Sequence, residues 1–166
     1  MKFRSFTLIE VLIVISIIGV LTTIVVVSYR GVQKKSRDDR RVADLSTIAS
    51  ALDQYYENNA NKYPLFLGAE GCPEGADPNQ AGRIFTERDA FVAKVSDYLN
   101  PVPKDPTKDV GYRYVYSCDG RHFALVTIIE DQNKSNWSNT APQYLKYYVG
   151  VDPGNIDTSK IYYIAR

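Results

Sequence analysis

From Val11 to Tyr29 the chain carries no charged residue, and thirteen of the nineteen side chains are valine, isoleucine or leucine. As an α-helix rising about 1.5 Å per residue, this run is roughly 28 Å long, close to the hydrocarbon thickness of a bilayer. Insertion scales credit each aliphatic residue with about −0.3 to −0.6 kcal/mol, so about −4 to −8 kcal/mol in all, whereas a charge at the membrane centre costs about 2.5–3.5 kcal/mol. The run therefore outweighs the nearby acid, Glu10, and a membrane helix is expected. A cleavable secretory signal would have a shorter apolar core and then a small-x-small site. Here a longer run leads into Arg30-Gly31-Val32-Gln33-Lys34-Lys35.

The rest of the composition narrows the choices. Twenty basic residues face nineteen acids, so no overall field draws the chain to nucleic acid, and a nucleic-acid partner stays open. Cys72 and Cys118 belong to no C-x-x-C pair, and a single histidine, His122, leaves too few ligands for a typical zinc site. His122 falls in a predicted strand with no serine or cysteine nucleophile pattern nearby, so a structural role is expected and no enzyme activity. The sequons at Asn133 and Asn136 mark a polar loop.

Glu10 is the residue that needs a reason. It could lie near the interface and reach water. Alternatively, if the chain is cut before Phe6, the new α-amine of one subunit could pair with Glu10 of its neighbour, removing an unpaired charge from a low-dielectric setting and favouring one axial register.

The segment Ser5-Phe6-Thr7-Leu8-Ile9-Glu10-Val11-Leu12-Ile13-Val14-Ile15-Ser16-Ile17-Ile18-Gly19-Val20-Leu21 resembles the leader and N-terminal helix of type IV prepilins and type II secretion pseudopilins. The resemblance implies cleavage between Ser5 and Phe6 by a prepilin peptidase, N-methylation of Phe6, and a role for Glu10 in docking subunits during assembly. Ser5 stands where the family has glycine, and Val27 where many type IV pilins have a helix-bending proline. The β-branched stretch around Thr22–Val27, with Gly19, has weak helix propensity and is expected to loosen inside a filament. Counting Arg30, Lys34, Lys35, Arg37, Arg40 and Arg41 against Lys2 and Arg4 would place the C-terminal part in the cytoplasm. The leader motif is more specific than a charge tally, and it implies an external head.

No breaker follows the apolar run. Val42, Leu45, Ile48, Leu52 and Tyr55 recur at spacings of three or four, which predicts one long helix fading near Asn58–Asn61 and ended by Tyr63-Pro64. The charged segment Lys34–Arg41 reads as solvated or facing neighbouring subunits, with Asp38/Arg41 and Arg40/Asp44 at helical pairing distances worth a few tenths of a kcal/mol each. Pro64–Arg83 reads as loop. Thr86-Glu87-Arg88-Asp89 resembles a capping box opening a short helix to about Tyr98, with Phe91, Val95 and Leu99 inward. Strands are predicted at Tyr112–Ser117, His122–Ile129, Tyr144–Val149 and Lys160–Ile164, with an Asp119-Gly120 turn joining the first two.

With the head outside the cytoplasm, Cys72 and Cys118 are expected to form a disulfide rather than two separate buried thiols, a closure worth about 4 kcal/mol. The Pro103-Lys104-Asp105-Pro106 turn resembles one in the major pseudopilin of type II secretion. That family's calcium loop is not recognisable further on, where Glu130-Asp131-Gln132-Asn133 is a partial echo, so no cofactor is expected and a plain acidic turn is favoured over calcium.

These readings assemble into an α+β chain of pilin fold: a leader over residues 1–5, a transmembrane and filament-core helix over 6–29, its amphipathic continuation over 30–60, and a head with a small antiparallel sheet over 61–166. The function expected is a structural subunit of a type IV pilus-like filament, held in the membrane before assembly and at the cell surface after it. The alternative is a pseudopilin of a secretion or DNA-uptake system; a domain tethered by one helix is a different class, which would have no need of Glu10. The partners implied are further copies of the chain, the prepilin peptidase, an assembly ATPase and an inner-membrane platform protein.

Overall fold

The structure, a computed structural model, describes residues 7–66, 72, 80–107, 110–137, 141, 145 and 157–166, and of residues 24–28 the backbone alone. The chain divides into two compact units, Met1–Ser36 and Arg37–Arg166. Helix α1 spans Leu8–Asn58 without interruption. It ends where predicted: Asn59 and Asn61 donate their N–H groups to the Tyr56 carbonyl, and Ala60 and Asn61 both adopt positive φ, turning the chain away.

In the second unit, β1 (Ala81–Phe85), β2 (Arg113–Ser117), β3 (Phe123–Ile128) and β4 (Ile161–Ala165) form one antiparallel sheet in sequential order. The Asp119-Gly120 turn joins β2 to β3, with Gly120 at φ 72° donating its N–H to Ser117 O at 2.9 Å. Side chains alternate across the sheet as the period of two requires. Tyr112, Tyr114, Tyr116, Phe123 and Leu125 pack against Leu45, Ile48 and Leu52 of α1 and Phe91 and Val95 of α2 (Asp89–Val95). Val115, Ala124, Val126 and Ile161 form a second core on the opposite face, closed by Ala141, Leu145 and Trp137. Each fully buried leucine or isoleucine contributes about 1.5–3 kcal/mol.

The tyrosine surplus has a structural use. Tyr112, Tyr114 and Tyr116 bury their rings, and each hydroxyl finds an acceptor: Asp44 Oδ2 at 2.7 Å, Pro64 O at 3.0 Å and Phe66 O at 2.8 Å. They thus tie both α1 and the chain leaving it to the sheet.

Three expectations are corrected. The end of the expected Pro64–Arg83 loop is part of β1, where Gly82 fits because any Cβ would collide with the Tyr116 ring. Thr86 caps no helix. It is buried and continues the ladder by donating its N–H to Tyr112 O, so α2 starts after Arg88 with no side-chain cap; sheet pairing outcompetes the local cap. Of the expected strand Tyr144–Val149 only Leu145 is described, and it is helical and buried in the second core.

Candidate functional site

At the start of α1, Thr7 and Glu10 form a capping box. Thr7 donates both its N–H and its Oγ1 hydrogen to Glu10 Oε2, at 2.8 and 2.7 Å, and the Glu10 N–H reaches back to Thr7 Oγ1 at 3.4 Å. The acid thus lies over the positive end of the helix dipole. The expected cleavage pair, Ser5 and Phe6, lies outside the described residues.

Beyond the cap, Leu8, Ile9, Val11–Ile15, Ile17, Ile18, Val20 and Leu21 are all exposed, on every side of the helix. A helix apolar all round belongs in lipid or among other helices. Its few hydroxyls are satisfied internally: Ser16 donates to Leu12 O, Thr22 to Ile18 O and Thr23 to Val20 O. They therefore bring no unmet polar group into such a setting. Among the described residues no helix is long and apolar enough to cross a membrane. The expected span Val11–Tyr29 includes residues 24–28, whose side chains lie outside the description.

In the segment Lys34–Arg41, read as solvated or facing neighbouring subunits, Lys34, Lys35, Asp39 and Arg40 are exposed, but Asp38 and Arg41 are buried in the head. Asp38 and Arg41 are 0% and 1% exposed. Arg41 Nη1 donates to Asp38 Oδ1 at 2.8 Å and to Glu130 Oε1 at 3.3 Å. Its Nε and Nη2 form a fork on Asp105, at 3.0 and 3.2 Å, and Nη2 also reaches Thr107 Oγ1 at 2.9 Å. Arg37 makes a second fork on Glu130, with both contacts at 2.6 Å. Asp38 in turn accepts the backbone N–H groups of Glu130 and Asp131. One turn of α1 is thereby bolted to two loops of the head.

The physical cause of the correction is that a pair three residues apart looks the same whether it faces water or a head. Burial pulls the Arg41 guanidinium down, and the bonds to Asp105, Asp38 and Glu130 more than reverse this, holding it above the ordinary arginine value. The hydrogen bond from Arg37, against an opposing effect of burial, holds the Glu130 carboxyl below its ordinary range. Sequence reading missed Asp105, Thr107 and Glu130 as partners of Arg41. The available signal was an acid fixed in a turn by Pro103 and Pro106.

Cys72 and Cys118 are joined in a disulfide across a sequence separation of 46. Cys72 is buried, and its N–H donates to Phe66 O. His122 is exposed at the end of the β2–β3 turn, and its backbone pairs with Ser117. Asn136 is engaged along β4, bonding both N and O of Tyr163 through its side chain. In the acidic turn Glu130 is committed to the two arginines, and Asp131 accepts from Asn133 N. Among the described residues no group of three or more His, Cys, Asp and Glu side chains is arranged to hold a metal ion.

A family model for the prokaryotic N-terminal methylation motif matches residues 1–26. The chain is 32% identical over 124 residues to type II secretion system core protein G of Escherichia coli (strain K12), covering 74% of this chain and 77% of that protein. The protein of the same name from Dickeya chrysanthemi is 39% identical over 127 residues, 72% of this chain and 71% of that one. That of Pectobacterium carotovorum subsp. carotovorum is 43% identical over 61 residues, 37% of this chain and 38% of that one. No solved structure matches the chain. Matches of 124 and 127 residues are too long to be confined to α1 and must take in the head.

Proposed function

The chain belongs to the family of type II secretion system core protein G, pseudopilins within the wider pilin group, and from that premise we propose that it is the structural subunit of a secretion pseudopilus. The relatives favour this reading over the type IV pilus subunit that the leader alone equally allows. The observation that carries it is similarity extending past the shared N-terminal motif into the head. The family is structural, and this chain's part in secretion is assembly rather than chemistry.

In this reading the chain is anchored in the inner membrane by its apolar helix, cleaved between Ser5 and Phe6, methylated at Phe6, and drawn out of lipid into a periplasmic filament. The exposed aliphatic faces of Leu8–Leu21 become the helix-packed filament core. Glu10, preorganised by Thr7, meets the amine of Phe6 on a neighbouring subunit. An assembly ATPase and a platform protein supply the work of extraction. The Arg41 cluster keeps the head fixed to α1 while force is applied along the helix.

The test is overproduction of the full chain with its prepilin peptidase and secretion machinery. Filaments should appear by electron microscopy, and mass spectrometry should find subunits beginning with methylated Phe6. Subunits beginning at Met1 and remaining single in the membrane would refute the proposal.

A further inference from the structure

We infer that the cavity at the C-terminal end of α1 is a binding site for an acidic peptide segment of a partner protein. The cavity has a volume of about 510 Å³ and lies between the last turn of α1, the chain that follows it and α2. Tyr55, Tyr63 and Leu65 supply aromatic and apolar surface, and Lys62 and Lys94 line it with no carboxylate among the lining residues. Neither lysine has an acidic partner within ion-pair distance among the described residues. Lys94 lies 5.7 Å from the centre of the Phe66 ring, which leaves its ammonium group over an aromatic face rather than neutralised.

A helix C-terminus would ordinarily oppose an anion, because its last carbonyls point outward. Here the carbonyls of Gln54, Tyr55 and Tyr56 already hold donors. Asn58 Nδ2 donates to Gln54 O and Asn59 Nδ2 to Tyr55 O, both at 2.8 Å, and Tyr56 O accepts from the N–H groups of Asn59 and Asn61. The Tyr63 hydroxyl is engaged with Asp53 at 3.3 Å, and burial, then Asp53, raises its pKa to about 12, so it stays neutral beside an anion. Asn59 Nδ2 also reaches the Tyr98 hydroxyl at 3.3 Å, and the Oδ1 atoms of Asn58 and Asn59 accept from no described residue.

The cavity lining therefore combines two lysines with an aromatic wall. Inorganic phosphate matches the cations but leaves the aromatic wall uncovered. A peptide with acidic side chains around an aromatic residue matches both, giving carboxylates to the lysines and a ring to Tyr55 and Tyr63. Ala60 at φ 54°, an unusual conformation for alanine, shapes one wall, as strained backbone often does at binding sites.

The inference rests on the head alone, and only the filament comparison in its test uses the filament reading. Its test is fluorescence anisotropy of the labelled, acetylated pentapeptide EEYEE on the full chain in detergent micelles. The neutral peptide QQYQQ and inorganic phosphate serve as comparators, and Lys62→Gln and Lys94→Gln as variants. EEYEE should bind, weaken as ionic strength rises, and lose roughly tenfold in affinity in the double variant. Variant filaments should assemble normally. Equal binding of QQYQQ, complete competition by phosphate at the peptide's own concentration, or unchanged affinity in the double variant would each overturn it. Loss of filaments in the variants would also overturn it, by making the cavity a contact between copies of the chain.

Discussion

Arg41 and Asp105 meet side on, Nε to Oδ2 at 3.0 Å and Nη2 to Oδ1 at 3.2 Å, although 64 residues separate them in sequence. Both side chains are almost wholly buried. Removing one partner of such a pair leaves the other charge unmet in a low-dielectric setting, which costs about 3–5 kcal/mol. Arg41→Ala should therefore destabilise the head by that amount in chemical denaturation. Arg41→Lys should recover little, because a point charge cannot hold Asp105, Asp38 and Thr107 together. Asp105→Asn combined with Arg41→Met should be milder than Arg41→Met alone, the sign of coupling in a double-mutant cycle.

Glu130 sets the acid limit. Its carboxyl is held below the ordinary 4.5, first by the Arg37 hydrogen bond. A depressed folded pKa contributes stability that is complete above the ordinary value and is lost as pH falls through the lower, folded one. Melting temperature should hold from neutral pH down to about the ordinary 4.5 and then drop. Asp119 and Asp157 are also depressed and titrate in the same region, so Glu130's share is the part of the acid slope missing in Glu130→Gln. At the alkaline end the sign reverses. Burial, then Asp44, raises the Tyr112 phenol above its ordinary 10.0, so its contribution is complete below that pH and declines above it. Tyr112→Phe should flatten the alkaline limb.

The Cys72–Cys118 bond closes a loop of 46 residues between the chain leaving α1 and the end of β2. On the chain-entropy account that closure is worth about 4 kcal/mol. Cys72→Ser with Cys118→Ser should lower the unfolding free energy by about that much relative to the oxidised parent. A reductant should shift the parent towards the variant and leave the variant where it is. A parent unmoved by reductant would mean that the bond contributes nothing in solution.

The elements legible in the sequence are those written in local periodicity. Leu45, Ile48 and Leu52 announce the helix face they bury, and the runs of β-branched and aromatic residues at Arg113–Ser117 and Phe123–Ile128 announce strands on either side of Asp119-Gly120. What escaped depends on contacts between distant segments. Gly82 reads as a breaker, yet it belongs to a strand because Tyr116 occupies the space a side chain would need. Asp38 and Arg41 read as a surface pair worth tenths of a kcal/mol, since nothing within a helical turn reveals that Asp105 and Glu130 will arrive from 64 and 89 residues away. The Thr7–Glu10 cap is the reverse case: its T-x-x-E spacing is visible in the sequence, but the oddity of an acid in an apolar helix drew attention to Glu10 alone.

That cap makes the role of Glu10 separable from its charge. Thr7 holds one carboxylate oxygen, Oε2, through two hydrogen bonds, leaving Oε1 with no bond to Thr7 and able to meet a cation. Glu10→Ala should leave membrane insertion intact, because the aliphatic run outweighs the acid, and should abolish filaments. Glu10→Gln should keep the cap geometry, since an amide oxygen still accepts from Thr7, but lose the proposed ion pair with the Phe6 amine. If the pair drives docking, Glu10→Gln should fail at assembly nearly as fully as Glu10→Ala. If the cap alone matters, Glu10→Gln should assemble and Thr7→Ala should not. Counting filaments by electron microscopy at matched membrane levels of subunit decides between the two, and normal filaments from Glu10→Ala would remove Glu10 from assembly altogether.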